Sequence, residues 1–189
     1  RPSHPPVKLM PAEEKLYRAT VAFLRALYRE GIIERSAAEE EADRNRGRKR
    51  RTGKGILQLE LVRLCQRLCS SSRALADSLE TLSKGELVTR EYRAKARELA
   101  TAARRVTRHG KLAALEEVLA EHRDRVIVFS EHLPTLDLIA ERVRKLKRTP
   151  VIYSGALSQK ERAKRLAAVG VASRARGRDT PAAESHTFV

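Results

Sequence analysis

The apolar positions of this chain follow two patterns, and the change between them falls at Gly110. From Pro11 onward they recur at helical spacing. Tyr17, Val21, Leu24 and Tyr28 set a stripe that Leu16, Phe23 and Leu27 widen, and Gly31 ends it. Pro11 suits the first turn of that helix, and Glu13 and Glu14 suit its positive end. A second helical face runs through Ile56, Leu59, Val62, Cys65 (or Leu64), Leu68 and Cys69. Serines 70–72 break it and can cap a third helix carrying Leu75, Leu79 and Leu82. Tyr92, Ala96, Leu99, Ala103 and Val106 define a fourth. Residues 1–10 are Pro-rich and extended, with a short strand expected at Val7–Met10. Up to Gly110 the pattern predicts an all-helical region.

Beyond Gly110 strands enter. Lys111 opens a helix with Leu112, Leu115, Val118 and Leu119 on one side. Arg125–Ser130 (RVIVFS) is then an unbroken, largely β-branched run, and such a run predicts a strand buried on both faces of a parallel sheet. Pro134 starts a helix with Leu136, Ile139, Val143 and Leu146 on one side. Thr149–Tyr153 reads as a second strand and Ser154–Gly155 as a turn. Ser158 and Glu161 form a capping box that leads into Ala163, Leu166 and Ala167. This order is that of a right-handed βαβ unit, so the predicted class is α/β and helix-rich. Two strands are few for a doubly wound sheet. After Val169 the chain carries no further strand pattern, and residues 170–189 read as mobile and dispensable.

Charge narrows the partner. Forty Lys and Arg against 24 Asp and Glu give a net charge of +16, spread along the chain rather than held in one tail. Such an excess favours a polyanion, nucleic acid before a membrane surface. It peaks in residues 37–55, where seven of the eleven positions from Arg44 to Lys54 are Lys or Arg. Arg48, Lys49, Arg50 and Arg51 are the centre of this basic insertion, a surface loop or a phosphate-contacting arm. It holds no aromatic residue, which argues against base stacking. The apolar runs are too short to span a bilayer, and residues 1–20 contain no signal-like apolar core, so an intracellular, nucleoid-associated chain is expected. Two cysteines make no disulfide framework.

No catalytic constellation stands out. The five histidines are scattered. Cys65 and Cys69 share a helix face without two further ligands and read as small core residues. The phosphate-loop pattern G-x-x-x-x-G-K-[ST] is missing, and Gly53-Lys54-Gly55 lies in the basic insertion instead of between a strand and a helix. The two expected strand ends are more informative, because open α/β sheets bind ligands at the carboxyl ends of their strands. Ser130 and Glu131 stand at the first, Ser154 and Gly155 at the second. A hydroxyl beside a helix N-terminus suits a phosphate, and glycine lets a ligand approach the backbone.

The segments GKLAALEEVL, DRVIVFSEHLPTLDLIAERV and PVIYSGALSQKERAKRLA resemble, in that order, the opening of the second RecA-like domain of Swi/Snf-type DNA translocases of helicase superfamily two. Lys111, Phe129-Ser130, Leu136, Tyr153, Gly155 and Arg162 match the family pattern. LVRLCQRLCSSSRAL and LMPAEEKLYRATVAFL are similar to the helical stretch before it, so the resemblance covers about residues 7–168. It implies three regions: a helical one over 1–110 with the basic insertion at 37–55, a partial RecA-like domain over 111–169, and a disordered or frameshifted tail over 170–189. It also implies double-stranded DNA as partner. Backbone contacts would come from Ser130, Glu131, Ser154, Gly155, Lys160 and Arg162, together with Arg48, Lys49, Arg50 and Arg51. The intact family couples ATP and Mg2+ to translocation. Its phosphate loop and magnesium carboxylates lie in a first RecA-like domain, and its arginine finger in a later motif, none of which is in this sequence. No cofactor is therefore expected on this chain alone, and the missing first domain is an expected partner.

The tail departs from the family at Val169. Thr180–Glu184, in an Arg-rich and hence GC-rich coding context, can be shifted in frame to read Ala-Gly-Gly-Gly, which points to a frameshift. Two non-enzymatic readings compete with the motor fragment. One is a basic helical nucleic-acid adaptor. The other is a protein-interaction module that docks through the helices of 56–108.

Overall fold

The computed structural model describes residues 7–30, 53–122, 125–168 and 186–188. Helices take up 72% of them, so the chain is helix-rich as the periodicity predicts, and its strands are short. The chain divides into two compact units, one of Leu9–Arg108 and one of His109–Val189, to which the residues before Leu9 are assigned.

The unit within Leu9–Arg108 is helical. It contains α1 (Pro11–Glu30), α2 (Gly53–Ser70), α3 (Ser72–Lys84) and α4 (Arg90–Arg104). The Ser71 hydroxyl caps α3 by accepting from Ala74 N at 3.1 Å. One core gathers Leu16, Phe23, Leu24 and Leu27 of α1 and Leu64 of α2. It continues through Leu75, Leu79 and Leu82 of α3 to Ala96, Leu99, Ala100 and Ala103 of α4. The alanines keep the facing surfaces of α3 and α4 low, which lets two backbones approach closely. Phe23 and Tyr92 meet with ring centroids 6.0 Å apart. Outside this core, Arg104 bridges Asp77 (3.1 Å) and Glu80 (2.5 Å), and Lys84 also reaches Glu80. Hydrogen bonds from Lys84 and Arg104 hold the Glu80 carboxyl down at about 2.

Three expectations for the chain before Gly110 are corrected. Val7–Met10 forms no strand. On α1 the buried stripe is Leu16, Thr20, Phe23, Leu24 and Leu27, while Tyr17 and Tyr28 are exposed, because a phenol tolerates water where Phe and Leu do not. On α2 the core takes Leu64, with Leu61 and Leu68 packed beside it, and leaves Leu59, Val62, Cys65 and Cys69 exposed. Helix α2 is apolar on two sides, and only one side finds a partner among the described residues.

The unit within His109–Val189 holds α5 (Gly110–Glu121), β1 (Val126–Ile127), α6 (Leu133–Lys145), β2 (Thr149–Val151), α7 (Gln159–Ala168) and β3 (His186–Phe188). Strands β1 and β2 do not pair with each other. Strand β3 lies between them, parallel to both, with Ile127 and Val151 each opposite Phe188. The crossover through α6 thus skips one position, and the end of the chain fills it. Leu119 of α5 and Leu136, Ile139 and Val143 of α6 make a second core, against which Val126, Val128 and Ile152 pack. Glu116 and Arg142 join α5 to α6 through a two-pronged ion pair. Arg148 donates to the Leu119 and His122 carbonyls at 2.9 and 2.8 Å, closing the C-terminus of α5.

Here too the structure departs from expectation. The strands are shorter than Arg125–Ser130 and Thr149–Tyr153. The first is not buried on both faces: Val126 and Val128 turn to the core, whereas Ile127 and Phe129 are 62% and 90% exposed. Residues 170–185 lie outside the described residues, as does the sequence read as frameshifted. His186–Phe188, expected to be part of a dispensable tail, is a strand. Three residues are too few to show a periodic pattern, and pairing on both sides compensates for the shortness.

Candidate nucleic-acid interface

Because the three strands are parallel, their carboxyl ends share one edge of the sheet. Ile127 and Val151 stand level across β3, so the residues that follow them correspond in pairs. Val128 and Ile152 both pack inward. Phe129 and Tyr153 both lie on the exposed phase, at 90% and 37%. Ser130 and Ser154 come next, each half-buried. The structure therefore brings Ser130, Glu131, Ser154 and Gly155 to the same edge.

Local hydrogen bonding fixes both turns. The Ser130 hydroxyl accepts from His132 N at 3.4 Å, just ahead of α6. On the other side Ser154 O accepts from Leu157 N at 3.3 Å, and the Ser158 hydroxyl caps α7 by accepting from Glu161 N at 3.2 Å. Glu131 and Lys160 are exposed. A Cβ built on Gly155 would meet nothing within 4 Å, so open space lies above this backbone.

Comparison with family models, with curated proteins and with solved structures found no match to this chain.

Arg162 behaves differently from a free phosphate ligand. Its Nη2 donates to Gly155 O at 2.6 Å, and its Nε is buried without an acceptor. One turn further along α7, Arg165 donates to Ile152 O at 2.6 Å and pairs with Glu161 at 3.6 Å. The two arginines brace the β2–α7 turn from below. The sequence pattern does not single out Arg165, although its spacing of three from Arg162 puts both on one helix face. Helix α7 buries no residue fully: Leu166 is half-buried, while Ala163 and Ala167 are exposed.

Of the basic insertion only the last three residues are described. Arg48, Lys49, Arg50 and Arg51 lie outside the described residues. Its last residues, Gly53–Gly55, are not loop but the first turn of α2. Among the described residues no group of three or more His, Cys, Asp or Glu gathers as a metal site, and no helix is long and apolar enough to cross a membrane.

Proposed function

We propose that this chain binds the sugar–phosphate backbone of double-stranded DNA, and that it does so as part of a Swi/Snf-type translocase. In that reading residues 111–169 open a RecA-like second motor domain. ATP and Mg2+ are handled by the first domain and by later motifs, so the chain contributes DNA contact and no turnover of its own. The observation that carries the reading is the matched pair of strand ends, Ser130 and Ser154–Gly155, at one edge of a parallel sheet with open space above Gly155. The net charge of +16 supplies long-range attraction to a polyanion. Phosphate contacts of this kind position a duplex without reading its sequence.

The experiment is a salt titration of binding to a labelled random-sequence duplex by fluorescence anisotropy. Gly155→Val fills the open space without a clash inside the protein, so it should weaken binding several-fold and leave the log–log salt slope unchanged. Replacing Arg48, Lys49, Arg50 and Arg51 together with Gln should lower that slope by roughly 0.9 for each phosphate no longer neutralised. If Gly155→Val binds like the parent while the Gln variant abolishes binding, the sheet edge has no part in it and the proposal fails.

A second reading, a protein-docking module, has its own observation: Leu59 and Val62 on α2 are 44% and 55% exposed. Binding to a protein through that face would show a shallow salt slope, unlike phosphate neutralisation.

A further inference from the structure

Phe129 is the most exposed large apolar side chain among the described residues, at 90%. Alternation along the chain sets its direction. Val126 and Val128 pack against the core, so Ile127 and Phe129 take the other face. Ile127 (62% exposed) and Tyr153 (37%) share that face, which makes the ring part of a patch and not a lone surface residue. Ile127 and Val151 both stand opposite Phe188, so Phe129 and Tyr153 are level at the carboxyl ends of β1 and β2. Strand β3 lies between them, which separates their backbones by two strand spacings, about 9–10 Å. Three of the seven Phe and Tyr residues in the chain, Phe129, Tyr153 and Phe188, thus fall at one end of one small sheet.

The groups around the ring narrow what it can hold. Ser130 and Ser154 are half-buried there, and Glu131, Gly155 and Lys160 are exposed. The centre of a protein-docking face is depleted in charged residues, unlike this rim. An exposed ring set among hydroxyls, a carboxylate and a lysine suits a flat ligand with apolar faces and polar edges. A nucleobase has that form. It stacks on an aromatic ring, and its amino groups donate to a carboxylate such as Glu131. The phosphates that follow it would meet Lys160 and the open backbone at Gly155, drawn in by the net charge of +16. In a duplex the base faces cover one another, so only unpaired bases can use the ring. We propose that Phe129, with Tyr153 as a second step, is a stacking platform for the unpaired bases of a single-stranded nucleic acid. The inference rests on the reading of this chain as a nucleic-acid binder and adds a substrate class to it.

The test titrates the full chain, by fluorescence anisotropy, against three labelled strands of equal length. These are an oligodeoxycytidylate, its ribonucleotide counterpart and an abasic deoxyribose-phosphate chain that keeps the charge and lacks the bases. The parent should prefer the better of the base-bearing strands to the abasic one by roughly 5- to 100-fold. The ratio of ribo to deoxy affinity identifies which nucleic acid the platform serves. Phe129→Ala should bind the abasic chain like the parent and lose the preference for bases, while Phe129→Tyr should keep it. The ring is neutral, so the log–log salt slope should be the same in all three proteins. Circular dichroism should show the parent helix content in both variants, because the side chain lies outside the core. Equal affinity of the parent for base-bearing and abasic strands overturns the proposal and leaves the ring to a protein partner. A Phe129→Ala variant that retains the preference for bases overturns it as well. Weakened duplex binding by Gly155→Val without any base preference in the parent refutes the stacking alone. A base preference alongside unaltered duplex binding by Gly155→Val refutes the duplex reading alone.

Discussion

Arg148 offers the sharpest test of how the C-terminal unit is held together. Its guanidinium reaches back from the α6–β2 connection to the Leu119 and His122 carbonyls, the last acceptors of α5. These carbonyls have no partner inside the helix, and a cation there also meets the negative end of the helix dipole. Arg148→Met keeps most of the stem and removes the donors. A hydrogen bond to a charged group contributes about 1.5–3 kcal/mol, and here a single Nη1 serves both carbonyls at a half-buried position. The loss should therefore be about 2 kcal/mol. For a unit of this size that lowers Tm by roughly 8–16 °C. Arg144→Met removes an equal charge from an exposed position nearby and should stay within about 0.5 kcal/mol of the parent. Thermal unfolding followed by circular dichroism measures both, and amide exchange at Leu119–Glu121 localises the effect. If Arg148→Met melts within about 2 °C of the parent, or no lower than Arg144→Met, the guanidinium is not a brace and the reasoning is wrong.

Ending the chain at Ser185 removes β3, which pairs at two positions with β1 and three with β2. At about 0.5–1.5 kcal/mol per ladder hydrogen bond, this should cost roughly 2–4 kcal/mol, and a Tm within about 2 °C of the full chain would remove β3 from the sheet. Lys147 has φ 59, the left-handed region, so Lys147→Gly should stabilise by about 0.5–1 kcal/mol after the entropy of glycine is deducted. A lower Tm for that variant would count against the backbone conformation. Glu80, held at about 2 against an ordinary 4.5, contributes stability above the unfolded value and loses it as pH falls from about 4.5 through about 2. Melting from pH 6 to pH 2 should show the difference between parent and Glu80→Gln shrinking across that window; a difference that stays constant would exclude the ion pair as its cause.

What could be read from the sequence was what is decided locally. The caps at Ser71 and Ser158 depend on a hydroxyl three residues before a free amide, so residue type and spacing sufficed. Leu75, Leu79 and Leu82 lie on a helix that is apolar on one side only, and all three are buried. Helix α2 defeated the same method. Leu61, Leu64 and Leu68 compete with Leu59, Val62 and Cys65 for the core, and periodicity cannot say which side a neighbour will cover. The run Val126–Phe129 failed for a related reason. β-Branched residues favour an extended backbone whether or not both faces are covered, so the exposure of Ile127 and Phe129 was not visible. Arg162 could be placed beside the turn, but not its hydrogen bond to Gly155 O, since a guanidinium binds a carbonyl as readily as a phosphate.

The engagement of Arg162 determines how the proposed interface would work. Arg162 and Arg165 are both engaged with backbone carbonyls of the β2–α7 segment, at Gly155 and Ile152. Releasing a guanidinium would give up a short charge-assisted hydrogen bond, exposed at Gly155 and part-buried at Ile152, so a ligand gains little by recruiting them. What remains on this rim for a phosphate is the accessible backbone at Gly155, the hydroxyls of Ser130 and Ser154, and the exposed Lys160. That set supplies direction and close approach but only one mobile cation. A chain that binds DNA through it must draw most of its attraction from charge held elsewhere, and the densest charge in the sequence is the Arg44–Lys54 stretch. Shape and charge are then carried by separate segments. This separation is why a Gly155 substitution and arm neutralisation should act on different parameters of the same binding curve.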